Sequence, residues 1–150
     1  MFSSEQEMSI MFEKFLENNF GSTYLKEYQG LFGIPDFVFY SHSNDNISII
    51  SFELKLKDWK RAAKQAFRYK SFSNIAYVVL SPKNIHSAIK NIAIFEQYNI
   101  GLAKFDKENE FVIYHKPQTS IPYSQTLNKK LVSSIGCCRR PSKNIDTLVR

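Results

Sequence analysis

The chain has 150 residues, 43% of them hydrophobic and 15% aromatic, with a formal net charge of +6. That length closes one hydrophobic core, and that composition excludes wholesale disorder. No apolar run reaches the roughly 18 residues of a membrane span, "MFSSEQEMSI" lacks the basic start and apolar stretch of a secretory signal, and the adjacent Cys137 and Cys138 have no CxxC spacing, so a reducing, cytoplasmic setting is expected.

In chain order, residues 4–18 read as an amphipathic helix. Ser4 and Glu7 fit a capping box, and Met8, Met11, Phe12, Phe15 and Leu16 recur at helical spacing. "NNFGS" ends that helix, and 24–32 is either a short strand or an irregular connection. Residues 37–40 and 47–56 read as strands, paired as a hairpin through the turn-forming "SHSNDN". Asp58 caps a helix over about 59–71, and "IAYVVL" is a short continuous apolar run of the central-strand kind. "SPKN" opens a further helix over about 83–98, and "NIGLAKF" and "EFVIYH" read as two more strands.

Beyond His115 the periodicity fades, and Pro117, Pro122 and Pro141 punctuate the chain. Seven basic residues against Asp146 alone give this stretch the whole net charge. The expected organisation is an α/β domain over 1–115, of order α-β-β-α-β-α-β-β with a mixed sheet, and a basic, partly disordered tail over 116–150. Such a tail attracts a polyanion by counterion release, or is simply a solvated end.

Three charged residues interrupt the strand-like sequence: Asp36, Glu53 and Lys55. Side chains alternate along a strand, so Glu53 and Lys55 share one face at the far end of the second strand. In a hairpin the start of the first strand lies beside that end, which brings Asp36 to the same edge. Two hard carboxylates close together suit a divalent cation such as magnesium, which keeps waters and takes phosphate oxygens. An ammonium beside them suits charge developing on a phosphoryl group. The plainer readings are a turn residue for Asp36 and a solvated cross-strand pair for Glu53 and Lys55. His42, His86 and His115 show no metal spacing, no phosphate-binding glycine pattern is present, and Trp59 reads as a packing residue.

Pro35-Asp36, a hairpin, then Glu53-Leu54-Lys55 resembles the PD-(D/E)XK nuclease superfamily over about residues 8–105, element order included. The resemblance implies a restriction-endonuclease-like fold, with Asp36, Glu53 and Lys55 catalytic. It also implies that Asp36, Glu53 and the helical acid Glu13 hold the metal. Gln65 and Tyr69 in "QAFRY" match the QxxxY element of RecB-type members, and Arg61 lies one turn before Gln65 on the same face. These three are the expected nucleic-acid-binding residues. The implied activity is a Mg2+-dependent nuclease (Mn2+ substituting) that hydrolyses DNA in restriction, repair or defence. A homodimer would supply two active sites for cutting both strands, and specificity would come from loops, the tail or a partner protein. Two alternatives stay open: a non-catalytic nucleic-acid-binding or assembly module of the same fold, and an RNA-directed nuclease.

Overall fold

Ser4 starts the first helix in extended backbone, and its hydroxyl accepts the amide of Glu7 at 3.0 Å. Glu7 reaches back one residue further than a capping box requires, to the amide of Ser3 at 2.8 Å. A computed structural model of the chain describes residues 1–43, 46–135 and 142–150. Its elements are α1 (Glu5–Asn19), β1 (Tyr24–Lys26), β2 (Phe37–Ser43), β3 (Asn46–Lys55), α2 (Trp59–Tyr69), β4 (Ile75–Leu80), α3 (Ile85–Lys90), α4 (Ile92–Tyr98), β5 (Gly101–Phe105), β6 (Phe111–His115) and α5 (Gln125–Ile135). Short 3₁₀ turns cover Pro82–Asn84 and Ile145–Leu148. The tip of the expected hairpin turn, 44–45, and Cys137, Cys138 and Pro141 lie outside the described residues.

The six strands form one mixed sheet whose spatial order repeats the chain order, β1 to β6. β3, β4 and β5 run parallel, and antiparallel partners flank them on both sides. The α/β class with a mixed sheet is therefore present. Every residue of β4 is buried, as its unbroken apolar run requires of a strand covered on both faces.

The two faces are packed differently. On one, α1 inserts Phe12 among Phe37, Phe52 and Phe105, with ring centroids 5.2–5.6 Å apart. On the other, Ala62, Ala63 and Ala66 bring α2 close to Val38, Ile49, Ala76 and Val78. Small residues on α2 let its backbone approach the sheet, which is what allows Tyr69 to reach across to a strand side chain.

One open alternative is decided and two expectations are corrected. The ambiguous 24–32 segment supplies a short edge strand, Tyr24–Lys26, paired with β2. The single helix over 83–98 is broken at Asn91, whose side chain donates to the Ser87 carbonyl at 2.8 Å while its amide turns to Ala88 at 3.0 Å. That side chain offers the backbone an alternative to the helical ladder. The described residues after His115 are not a loose tail. α5 buries Leu131, and the last 3₁₀ turn buries Leu148, whose carbonyl accepts the hydroxyl of Tyr77 at 2.6 Å. No helix among the described residues is long and apolar enough to cross a membrane.

Candidate active site

Phe37 pairs with Phe52 across the β2–β3 hairpin, so the antiparallel register carried one step outward sets Asp36 opposite Glu53. Val38 and Tyr40 lie on the α2 side of the sheet, as does Ile49, and alternation puts Asp36, Glu53 and Lys55 on that side too. Asp36 is held where the ladder ends. Its amide donates to the Phe52 carbonyl at 3.1 Å, and its Oδ2 accepts the Leu54 amide at 2.7 Å. The carboxylate thereby takes the place of a missing strand partner.

Glu53 is 4% exposed, an expensive position for a charge. Its Oε1 lies 2.5 Å from the hydroxyl of Tyr69, which also lies 3.0 Å from the Ile34 carbonyl. One hydroxyl proton cannot serve two acceptors. A protonated Glu53 resolves this: it donates to Tyr69, and Tyr69 donates to Ile34. The electrostatics agree. Burial, then the charge of Asp36 opposite, pushes Glu53 up to about 8. Burial also raises Asp36 to about 6, against the pull of the Leu54 amide and with the push of Glu5. Asp36 ionises first, and Glu53 gives up its proton against that charge.

Glu5 and Glu27 add negative potential at Asp36, and Lys55 is the cation that offsets it there. Lys55 Nζ lies 4.0 Å from Glu5 Oε1, and Glu5 Oε2 also accepts the Leu56 amide at 3.2 Å. The helical acid at this edge is thus Glu5 and not Glu13. Glu13 lies two turns further along α1, where Tyr24 donates to it at 2.6 Å and Lys26 pairs with it at 2.9 Å. These partners hold Glu13 below the usual carboxylate range.

The three α2 residues fall at three depths. Tyr69 is 1% exposed with its hydroxyl engaged, so it positions Glu53 and is closed to a nucleic-acid surface, contrary to expectation. Gln65, one turn earlier, is half-buried, and its Oε1 is buried without a hydrogen-bond donor. Arg61 is exposed. Sequence reasoning missed Gly33. Its φ of +81° and the 2.9 Å that would separate a Cβ from the Tyr69 ring let the loop before Asp36 close over Tyr69. The signal was the glycine in "FGIPD", just ahead of the acid.

Among the described residues, no three His, Cys, Asp or Glu side chains converge as a ready metal cage. Asp36 and Glu53 form a pair of hard oxygen donors with high proton affinity, and Gln65 Oε1 is a buried acceptor without a partner. That donor set fits a cation that keeps most of its waters. The chain matches no family model, no curated protein and no solved structure.

Proposed function

We propose that this chain has the restriction-endonuclease-like arrangement of the PD-(D/E)XK nucleases and hydrolyses phosphodiester bonds in DNA, with Mg2+ as cofactor and Mn2+ able to substitute. The observation that carries the reading is the facing of Asp36 and Glu53 across the end of the β2–β3 hairpin, with Lys55 on the same face. Asp36 and Glu53 would hold the metal, Glu53 after shedding its proton. When bound, Mg2+ supplies positive charge to a phosphoryl oxygen and acidifies a water. Tyr69 orients Glu53, and its hydroxyl turns wholly to that carboxylate once the proton has gone. Lys55 carries an ammonium at the end of the same strand, suited to stabilising charge that develops on the phosphate. Gln65 Oε1 offers an acceptor for a water proton.

The test is cleavage of supercoiled, linear duplex and single-stranded DNA, and of RNA, with Mg2+, Mn2+ or EDTA. Asp36→Ala and Glu53→Ala should abolish metal-dependent cutting. Lys55→Ala should lower turnover on the order of a hundredfold while binding changes little. Wild-type cutting by Glu53→Ala and Lys55→Ala would place the chemistry elsewhere. Binding without cutting on every substrate would favour a non-catalytic module.

A further inference from the structure

The outward side of α2 faces a groove of about 630 Å³ between this helix, α4 and the loop before Asp36. Its apolar surface includes three aromatic rings left in solvent: Phe32 is 49% exposed, Phe67 39% and Tyr98 44%. Lys60, Lys64 and Arg68 line it as well. They follow each other at four-residue spacing, so they stand in one column along the helix. α2 carries no acidic residue, and among the described residues no carboxylate pairs with any of the three cations. Like charges at that spacing repel, so the column costs stability in the free protein. Arg68 sits over the Phe32 ring, 5.5 Å from its centroid.

A ligand that fits is at once polyanionic and rich in flat apolar faces. Single-stranded nucleic acid is such a ligand: backbone phosphates meet the cation column while unpaired bases stack on the rings. A duplex hides its base faces and would leave the three aromatics unused. A second copy of this chain would set one cation column against another. The groove's side-chain polar groups are its cations, the Tyr98 hydroxyl and the Trp59 indole N–H, which Ser87 already accepts. A ribose 2′-hydroxyl laid on the apolar wall would lose water for no fixed partner, so deoxyribose is favoured. Phe32 and Asp36 are four residues apart, no more than about 14 Å along an extended chain. A strand in the groove therefore lies within a short reach of the carboxylate pair.

We infer that this groove binds single-stranded DNA by base stacking and delivers it to the Asp36–Glu53 edge. The inference deepens the nuclease reading and rests on it for the delivery alone. Its test is binding in EDTA, which cutting cannot influence. Fluorescence anisotropy of the full chain would compare a thymidine homopolymer, an abasic strand of equal length and charge, a duplex, a uridine homopolymer and a Glu/Tyr copolymer peptide. The thymidine strand should bind at least about tenfold more tightly than the abasic strand, and also lead the other probes. Phe67→Ala should remove most of that preference. Lys64→Glu, at an exposed position, should weaken binding about tenfold and lower the salt slope by about one.

Equal binding of the thymidine and abasic strands would overturn the stacking, and unchanged affinity in both groove variants would overturn the site. A peptide, duplex or uridine strand that binds best would overturn the assigned ligand. Glu53→Gln separates the two readings, because it should lose cutting and keep wild-type thymidine-strand affinity. A wild-type protein that binds the strand but never cuts would refute the nuclease and leave the groove standing.

Discussion

Replacing Glu53 by Gln should stabilise the fold, and by an amount that depends on pH. Burial and Asp36 raise the carboxyl from its ordinary value of 4.5 to about 8 in the fold. Between those pH values the folded chain keeps a proton that the unfolded chain has released. Stability contributed by this group is therefore full below pH 4.5, falls as pH rises, and levels off above about 8. At 1.36 kcal/mol per unit, the loss at pH 9 is on the order of 5 kcal/mol. Gln carries no charge, and its amide N–H2 can donate to Tyr69 as the protonated carboxyl does, so Glu53→Gln escapes this loss. Asp36 is present in both proteins and largely cancels from the difference. Urea unfolding at pH 5 and pH 9 should show a small gap at the first and a gap of several kcal/mol at the second, with the variant more stable. Magnesium at a hundredfold above its dissociation constant should restore about 2.7 kcal/mol to the wild type and nothing to the variant. A gap independent of pH, or a variant less stable than wild type at pH 9, would refute the reasoning.

Glu5→Gln should change metal affinity or the rate of cutting through its place beside Lys55 and Asp36, whereas Glu13→Gln should leave both at wild type; titration of metal-dependent cleavage reads the difference. Gly33→Ala should cost about 1–3 kcal/mol from backbone strain and the clash with Tyr69, and should disturb the near-ultraviolet circular dichroism of that ring. Leu148→Ala should cost about 2–5 kcal/mol in urea unfolding, as a fully buried leucine does and a residue in a loose tail would not.

The hairpin was readable because its signals are local. Alternation fixes which side chains share a face, and a slip of one residue would turn Glu53 into the aromatic cluster under α1. Asp58 and the alanines of α2 announced that helix in the same way. What failed depended on docking. Glu5 and Glu13 are both acids on a polar helix surface, about 12 Å apart along the axis. Only the angle at which α1 crosses the sheet decides which of them meets Lys55, and no local pattern encodes it. The segment after His115 has few apolar residues, yet Leu131 and Leu148 each fill a place in the core, on opposite faces of the sheet. Composition averages over such anchors and sees only the charge. Asn91 shows the limit of periodicity, since Ile89, Ile92 and Phe95 keep helical spacing across a break made by one side chain.

Because the sheet's spatial order repeats the chain order, all of the candidate site but Glu5 and the loop around Gly33 falls in one continuous stretch of 34 residues, from Asp36 to Tyr69. Loop-closure entropy grows with the length of chain enclosed, so contacts within such a stretch form at lower cost than those tying the two ends of the molecule together. The hairpin and the helix behind it can assemble the carboxylate pair before Leu148 comes to rest under the sheet. In pulse-labelling hydrogen exchange during refolding, the Leu54 amide, held by Asp36, should gain protection ahead of the Arg150 amide, held by Pro117. The chain would then raise its proton-loaded acid pair early, and the far end of the sequence would close over a site already built.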